Sequence, residues 1–387
     1  MKPWTKTAAL AIPVVAAVVL VAHLAAIWAG RFVYPFDLEW MEGGMLVHSW
    51  RLQQGLPLYA EPGREFIPFI YPAGYASVLA ALGKVFGLGY GLGRAVSLAG
   101  TLAAAGAIVR VVRHHGGSTV TAFLGAAMFL GCYKASGGFY DLVRLDGLYM
   151  GLLSWAIALG LERRRGALEA SALLLAAAFL VKQHCAVFGI PMMLGIWMRD
   201  GRAAALRFAL FAAVPALLVT GWVQWRSEGR YLTYVLGVPA AHHLKGLRAF
   251  PGTPREAAYA LPVLLPLAAG WVAVRTVGLS GRRWPIVLGV AAAVALGIVT
   301  ATLDHVPGTT RSHPVLLSLV GAGSLGLGTA VAIAGLAGLL WQKRREWQYL
   351  YGVGVAGLAV LASALMRAHV GGFLNVHMQM HWVIVLG

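Results

Sequence analysis

Carboxylate side chains are concentrated in one part of this sequence. The chain has 14 Asp and Glu residues, and the densest group, Asp37, Glu39 and Glu42, follows a long apolar segment. A second pair, Asp141 and Asp146, precedes another apolar segment. Ionised side chains beside segments of membrane-spanning length cost free energy unless they are paired or solvated. Their grouping therefore indicates a candidate functional site.

Each of these carboxylates also has a structural interpretation. Asp37 precedes a segment with helical periodicity and is suited to be its N-cap. Glu39 and Glu42 are three residues apart, so on a helix they would share a face turned towards water. Asp146 opens an apolar segment and is likewise a candidate N-cap. For each single residue both interpretations stay open.

Three basic residues beside these apolar segments have the chemistry of phosphate ligands. Arg144 lies between the two aspartates of the 141–146 loop, and Lys182 and His184 interrupt two otherwise apolar segments. A guanidinium binds phosphate through a bidentate fork, and an ammonium group acts as a point charge. We therefore predict that these three side chains bind an anionic group of a substrate. For Lys182 the alternative is that its ammonium group reaches the lipid headgroups.

The composition indicates what kind of scaffold must position these residues. The chain has 387 residues, of which 59% are hydrophobic and only 12% are charged. Apolar runs long enough to cross a bilayer core of ~30 Å recur along it. The net charge is +17, but the basic residues lie in short clusters between apolar runs, where they contact membrane lipids. A nucleic-acid partner is excluded, because it needs a solvated basic surface.

We predict an all-α polytopic membrane protein with about 11–12 transmembrane helices and juxtamembrane helices in a first outer loop, residues 30–90. The segment 68–88 is interrupted by proline and glycine, so we interpret it as a juxtamembrane or re-entrant segment. The predicted spans are residues 8–29, 91–112, 119–135, 145–161, 167–182, 185–198, 206–224, 257–277, 284–303, 315–341 and 348–366, with a twelfth that begins near residue 380.

The tight basic clusters fix the predicted orientation. With 68–88 outside the count of spans, every such cluster falls on one side, and the positive-inside rule makes that side cytoplasmic. The N-terminus is then cytoplasmic, and the inner loops are short and basic. The segments with varied polar residues lie on the opposite face. We predict a multi-pass protein of a bacterial inner membrane whose active site is on the outer face.

The order of motifs resembles that of the C-type (GT-C fold) membrane glycosyltransferases. An acidic motif after the first span is followed by Gly-Leu-Pro-Leu-Tyr at 55–59, Tyr-Pro-Ala-Gly-Tyr at 71–75 and Gly-Arg at 93–94 opening a span. An outer loop ending in Arg-Leu-Asp-Gly at 144–147 comes next. The similarity is greatest to the branch of protein O-mannosyltransferases, lipid A aminoarabinose transferases and lipopolysaccharide galacturonosyltransferases, and it covers about residues 30–185.

The resemblance implies an inverting transfer of a sugar from a polyprenyl-phosphate donor to an acceptor on the outer face. The acceptor itself, whether glycan, lipid or protein, stays unknown. The catalytic base implied by the family is Asp37 or Glu39, and the second acidic residue is Asp146. Further substrate-binding candidates are Glu42, Asp141, Arg144, Lys182 and His184. The resemblance implies no cofactor and no metal ligands, with a divalent cation as the alternative.

One single membrane-embedded domain, residues 1–387, is expected, with 30–90 as its outer loop and 91–387 as its remaining spans. Relatives usually continue further, so we expect either a short member or a truncated C-terminus. The main functional alternative is a transporter or flippase of lipid-linked substrates. Such proteins place charges at mid-membrane in broken helices and often contain inverted repeats, whereas here the carboxylates gather at one face.

Overall fold

The computed structural model describes residues 3–245, 253–260 and 346–386, and these ranges are helical with no strand. A single isolated bridge joins Leu244 and His369. The helices are α1 Pro3–Phe32, α2 Glu42–Gln53, α3 Gly74–Phe86, α4 Tyr90–His114, α5 Thr119–Gly131, α6 Leu145–Gly160, α7 Ala167–Val181, α8 Gly189–Asp200, α9 Arg202–Arg226, α10 Arg230–Leu232, α11 Val238–Ala240, α12 Thr253–Ala260, α13 Trp347–Ala368 and α14 Met378–Leu386. Short 3₁₀ helices cover Gln183–Phe188 and Leu374–His377, and a π-helical turn covers Thr233–Gly237.

The chain forms two compact units, the first from residues 1–243 and the second mainly from residues 244–385. In the first unit α4 packs against α5 and α6, α6 packs against α7, and α7 packs against α9. Helix α1 packs against α5, and the short α2 packs against α3. In the second unit the described contacts join α13 to α12 and to the 3₁₀ helix that precedes α14.

The described residues include four helices that are long and apolar enough to cross a membrane: Ala11–Phe32, Tyr90–His114, Arg202–Arg226 and Trp347–Ala368. Shorter apolar helices are Gly74–Phe86, Thr119–Gly131, Leu145–Gly160 and Ala167–Val181. The predicted all-α membrane class is therefore confirmed. The predicted spans 284–303 and 315–341 lie outside the described residues, and 257–277 is described only as far as residue 260.

The segment that decides the predicted orientation is a short helix. Helix α3 begins at Gly74, just after Pro72, and has 13 residues, a length of ~20 Å at the helical rise. Helix α5, which we expect to cross the membrane, also has 13 residues. Helix length alone does not distinguish the two, and the orientation stays a prediction.

Helices α4 and α6 touch backbone to backbone. A Cβ atom added to Gly147 would collide with the carbonyl of Ser97, and one added to Gly151 would collide with the carbonyl of Gly100. Small residues permit such an approach between helices in a membrane. The contacts advance along both helices in the same direction. Helices α4 and α6 therefore run parallel, and their N-terminal ends lie side by side.

Buried hydroxyl groups of α4 fix the segment that leads into α6. The Ser97 hydroxyl donates to the carbonyl of Arg144 at 2.8 Å, and the Thr101 hydroxyl donates to the carbonyl of Tyr140 at 2.8 Å. The Tyr75 hydroxyl, from α3, contacts the Ser97 oxygen at 2.9 Å. Buried carbonyl groups outside helices need such partners. These bonds fix the backbone of the 140–144 segment and so the position of Arg144 and Asp146 at the start of α6.

Ion pairs occupy the opposite end of α4 and α6. Arg110 contacts Glu162 at 2.6 Å, and Arg163 approaches Asp200 at 3.4 Å. Arg199 pairs with Asp200 and also donates to the carbonyl of Gly160. We interpreted these loops as basic only, and that interpretation was wrong, because carboxylates that are sparse in the sequence are paired with the arginines here.

Candidate active site

Glu42 is a fully enclosed carboxylate at the first residue of α2. It accepts hydrogen bonds from Arg94 and from the backbone amides of Val143, at 2.8 Å, and Leu38, at 2.6 Å. Burial by itself would raise the pKa of Glu42, but the bonds from Arg94, Val143 and Leu38 outweigh it and hold the pKa below its ordinary value. Glu42 therefore joins the first loop to α4 and to the segment before α6.

Arg94 is the cationic partner of this carboxylate and is 1% exposed. Its five N–H groups have five acceptors: two on Glu42 and the carbonyl oxygens of Arg31, Tyr34 and Phe36. An arginine has no further donor to offer. Arg94 thus holds the end of α1 and the acidic loop in place. We call Glu42 and Arg94 the hub.

Asp141 is also buried against a cation. Arg31, in the last turn of α1, contacts its carboxylate at 2.8 Å and donates to the carbonyl of Gly138. The Tyr133 hydroxyl donates to Asp141 at 3.1 Å. Burial outweighs these partners and raises the pKa of Asp141 above its ordinary value. The carboxylate attaches the 132–144 segment to α1.

Asp37 lies in the loop before α2 and is exposed. Its carboxylate accepts a hydrogen bond from the backbone amide of Gly43 at 2.7 Å, and the hydroxyl of Tyr90 also bonds to it. Asp37 is therefore not the N-cap of α2, since Met41 holds that position, but its carboxylate still accepts from an amide in the first turn of the helix. Of the three loop carboxylates, Asp37 is the one that solvent reaches most freely.

Glu39 lies outside the helix that we expected to carry it. Helix α2 begins at Glu42, and Glu39 belongs to the preceding turn, which closes through a bond from the Glu42 amide to the Glu39 carbonyl. The prediction that Glu39 and Glu42 share a water-facing helical face is wrong. Glu39 instead pairs with Arg144 at 2.9 Å and has a side chain that is 16% exposed.

Arg144 is the N-cap residue of α6 and is 5% exposed. One terminal nitrogen donates to Glu39, and the other lies 3.4 Å from the hydroxyl of Tyr71. Its guanidinium is also 5.5 Å from the ring centre of Phe139. The Nε–H has no hydrogen-bond partner in the part of the chain that the structure describes. Unlike Arg94, Arg144 retains a free donor.

Asp146 lies in the first turn of α6 and is fully buried. Lys182, which follows the last residue of α7, contacts its carboxylate at 2.8 Å. The same ammonium group lies 4.5 Å from the ring centre of Tyr149. Asp146 is not the N-cap of α6, since Arg144 holds that position. The pair therefore joins the start of α6 to the end of α7.

His184 lies in the 3₁₀ helix after α7 and is half-buried. Its ring packs edge-on against Tyr149, with 5.2 Å between the ring centres. Between Lys182 and His184, the Gln183 amide donates to the carbonyls of Ile70 and Val235. These bonds fix the turn, so that Lys182 and His184 both face Tyr149.

A histidine of α2 holds Phe69, two residues before Tyr71. His48 donates from Nδ1 to the carbonyl of Gly44 at 2.7 Å and accepts at Nε2 from the amide of Phe69 at 3.0 Å. Both bonds can form only when the ring is neutral. Burial, with a smaller contribution from Arg51, lowers the pKa of His48 below its ordinary value.

The structure brings Glu39, Arg144, Asp146, Lys182 and His184 to one end of α6, and Asp37 lies in the same loop as Glu39. It places Glu42 and Asp141 in separate buried ion pairs. Sequence reasoning did not identify Arg94 as a structural residue, although an arginine inside an apolar span is itself a signal for a buried partner. No signal identified Tyr149, because a tyrosine in an apolar helix is common.

Residues able to bind a metal do not cluster in the described part of the chain. There, no three side chains of the His, Cys, Asp or Glu type converge. The two cysteines, Cys132 and Cys185, are free and buried.

Comparisons with known proteins give a structural likeness only. No family model and no curated protein sequence matches this chain. The crystal structure of ArnT from Cupriavidus metallidurans bound to undecaprenyl phosphate matches with a TM-score of 0.50 at 16% identity, covering 95% of this chain and 76% of that one. The same protein in the apo state matches with a TM-score of 0.47. ArnT is a lipid A aminoarabinose transferase, and the likeness shows that this chain has the GT-C fold.

Proposed function

We propose that this chain is a membrane glycosyltransferase that moves a sugar from a polyprenyl-phosphate donor to an acceptor on the outer face of a bacterial inner membrane. The observation that carries the proposal is the cluster of two ion pairs at the start of α6, Glu39–Arg144 and Asp146–Lys182. The exposed carboxylate of Asp37 belongs to the same loop as Glu39. The ArnT structure contains undecaprenyl phosphate, which supports a donor of that class.

Arg144 and Lys182 are the proposed ligands of the donor phosphate. The unpartnered Nε–H of Arg144 can donate to a phosphate oxygen, and Lys182 has N–H groups beyond the one directed at Asp146. His184, half-buried beside them, is the third candidate. Charge-assisted bonds in a site with little water stabilise a developing phosphate charge strongly.

Asp37 is the proposed general base. The Glu39 carboxylate is engaged by Arg144, which donates a hydrogen bond to it at 2.9 Å. Asp37 is exposed and has a neutral amide and a neutral hydroxyl as partners. We therefore assign proton transfer to Asp37 and the orientation of Arg144 to Glu39.

In the proposed reaction, the acceptor hydroxyl oxygen attacks the anomeric carbon as its proton passes to the Asp37 carboxylate. The bond from that carbon to the phosphate oxygen breaks, and its electron pair stays on the lipid phosphate. The transition state has oxocarbenium character, as in other glycosyl transfers. Attack opposite the leaving group inverts the anomeric configuration. Phosphate is a good leaving group, so no acid has to protonate it.

The proposal assigns Glu42 and Asp141 to the architecture of the site, although we first considered both as substrate-binding residues. The carboxylate of Glu42 already accepts four hydrogen bonds. Asp141 is enclosed by Arg31 and Tyr133. Asp146 is assigned to the orientation of Lys182, which it contacts directly.

The proposal is tested by mass spectrometry of envelope glycans and lipids from cells with the wild-type chain, a deletion, Asp37→Asn, Glu39→Gln or Glu61→Gln. Glu61 is the matched control, because its side chain is 83% exposed. We expect the deletion and Asp37→Asn to lose one sugar and to accumulate a polyprenyl-phosphate sugar, with the variant still present in the membrane. A deletion without any glycan change would overturn the proposal and favour transport of lipid-linked substrates.

A further inference from the structure

Tyr149 is a buried residue at the base of the candidate site. It lies three residues after Asp146, so both side chains project from the same face of α6. Its ring contacts the Lys182 ammonium at 4.5 Å and the edge of the His184 ring at 5.2 Å. Tyr149 is therefore the residue that Lys182 and His184 have in common.

The hydroxyl group of Tyr149 is unusual among the buried tyrosines near it. It has no hydrogen-bond partner in the described part of the chain. By contrast, the Tyr75 hydroxyl donates to the carbonyl of Gly93, and the Tyr140 hydroxyl donates to that of Phe129. A buried hydroxyl without a partner costs free energy, and such groups need an explanation in a folded protein.

The surroundings of the Tyr149 hydroxyl indicate the kind of ligand that would accept its hydrogen bond. A tyrosine hydroxyl can donate one hydrogen bond. Lys182 lies over the same ring and has N–H groups beyond the one directed at Asp146. Arg144, two residues before Asp146, has its own free Nε–H. The Tyr149 hydroxyl and the Arg144 Nε–H lack partners, and both residues flank Asp146, the partner of Lys182. Donors of this kind suit an acceptor with several anionic oxygens.

We propose that the Tyr149 hydroxyl donates a hydrogen bond to the phosphate of the lipid donor, beside Lys182. This inference rests on the proposed function and adds a ligand to its site. The ring and the hydroxyl have separate tasks. The ring face supports the Lys182 ammonium by a cation–π contact, whereas the hydroxyl binds the phosphate directly.

The test measures binding of undecaprenyl phosphate to purified protein by native mass spectrometry. Tyr149→Phe removes the hydroxyl and keeps the ring, whereas Tyr149→Leu removes both. Tyr140→Phe is the matched control, because it also removes a buried tyrosine hydroxyl, one that already donates to the carbonyl of Phe129. Undecaprenol, which lacks the phosphate, is measured in parallel with each protein.

We expect Tyr149→Phe to bind undecaprenyl phosphate about 10-fold more weakly than wild type, the usual effect of losing a bond to a charged group. Tyr149→Leu should bind more weakly still. Neither variant should bind undecaprenol differently, and Tyr140→Phe should bind the phosphate as wild type does.

The outcomes separate this inference from the proposed function. If wild type binds the phosphate and Tyr149→Phe binds it equally well, the hydroxyl is not a ligand and only this inference fails. The same conclusion follows if Tyr140→Phe loses as much affinity as Tyr149→Phe. If wild type binds undecaprenyl phosphate no better than undecaprenol, the donor class is wrong and both proposals fail.

Discussion

Two buried arginines of the first unit, Arg94 and Arg144, differ in one respect that separates architecture from function. Arg94 has an acceptor for every N–H group. Arg144 is almost as deeply buried but has a free Nε–H. A saturated guanidinium can only hold protein groups together, whereas an unsaturated one can still bind a ligand. Burial alone would have given both residues the same role.

The carboxylate partners follow the same division. Glu42, bound to Arg94, is completely enclosed, whereas Glu39, bound to Arg144, retains some exposure. Substitutions in the hub should therefore reduce stability first, and substitutions around Arg144 should reduce substrate binding first. This difference can be tested in four ways, in order of decreasing effect.

The largest effect is expected for Glu42→Gln. The substitution leaves the Arg94 charge buried without its counter-ion, which typically costs about 3–5 kcal/mol of the free energy of unfolding. Thermal unfolding of the purified protein in detergent measures it, with Glu61→Gln as the exposed control. An unchanged unfolding temperature for Glu42→Gln would mean that the hub does not hold the loop in place.

Arg144→Lys should separate binding from stability. The substitution keeps the positive charge beside Glu39 but removes the planar fork that suits a phosphate. We expect sugar transfer to fall about 10- to 100-fold, equivalent to about 1.4–2.7 kcal/mol, while the unfolding temperature changes little. Transfer is measured as loss of the donor lipid in membranes. If the unfolding temperature falls but sugar transfer per folded molecule does not, Arg144 has a structural role like that of Arg94.

His48 should make the stability of the folded protein decrease at acid pH. Its pKa in the folded protein is below the ordinary value of 6.5, so the folded state binds fewer protons than the unfolded one. Stability from His48 is then complete above pH 6.5 and is lost as the pH falls from there to the folded pKa. We expect this loss to be smaller than the effect of Glu42→Gln.

Unfolding temperatures of wild type and His48→Gln between about pH 5 and pH 8 test this expectation. The Gln side chain can accept the bond from the Phe69 amide and does not titrate. Its profile should therefore be flatter on the acid side. Identical profiles for the two proteins would mean that the protonation of His48 does not affect the stability of the protein.

The smallest effect is expected for Arg207→Ala. Arg207 contacts Glu169 at 3.2 Å, but its side chain is 58% exposed. Exposed ion pairs contribute about 0–1 kcal/mol, so the unfolding temperature should stay within a few degrees of wild type, and transfer should be unchanged. If Arg207→Ala lowered the unfolding temperature as much as Glu42→Gln, the contribution of these ion pairs to stability would not depend on their burial.

The helices could be predicted from the sequence because apolar length and basic clusters are local properties. The predicted spans 91–112, 145–161 and 167–182 agree closely with Tyr90–His114, Leu145–Gly160 and Ala167–Val181. The 185–198 span was less accurate, because it begins as the 3₁₀ helix Gln183–Phe188. Hydropathy does not register a change of helix type within an apolar run.

The partners within the site could not be predicted, because they are set by long-range pairing. Residue types and proximity to apolar segments identified Glu39, Arg144, Asp146 and Lys182 as candidates. Nothing local in the sequence indicates that Glu39 meets Arg144, which follows 105 residues later. The prediction that Glu39 and Glu42 share a helical face was wrong for the same reason. Glu39 is positioned by its contact with Arg144, and Glu42 is positioned by its contact with Arg94.

The backbone contact between α4 and α6 also affects how the protein responds to its bilayer. Gly100, Gly147 and Gly151 leave no side chain between the two helices, so neither can slide or tilt without the other. Helices adjust to a thicker or thinner membrane by tilting. Here they must tilt as a pair, and a change in lipid composition would then reorient the residues at both N-terminal ends together while leaving the distances among them unchanged.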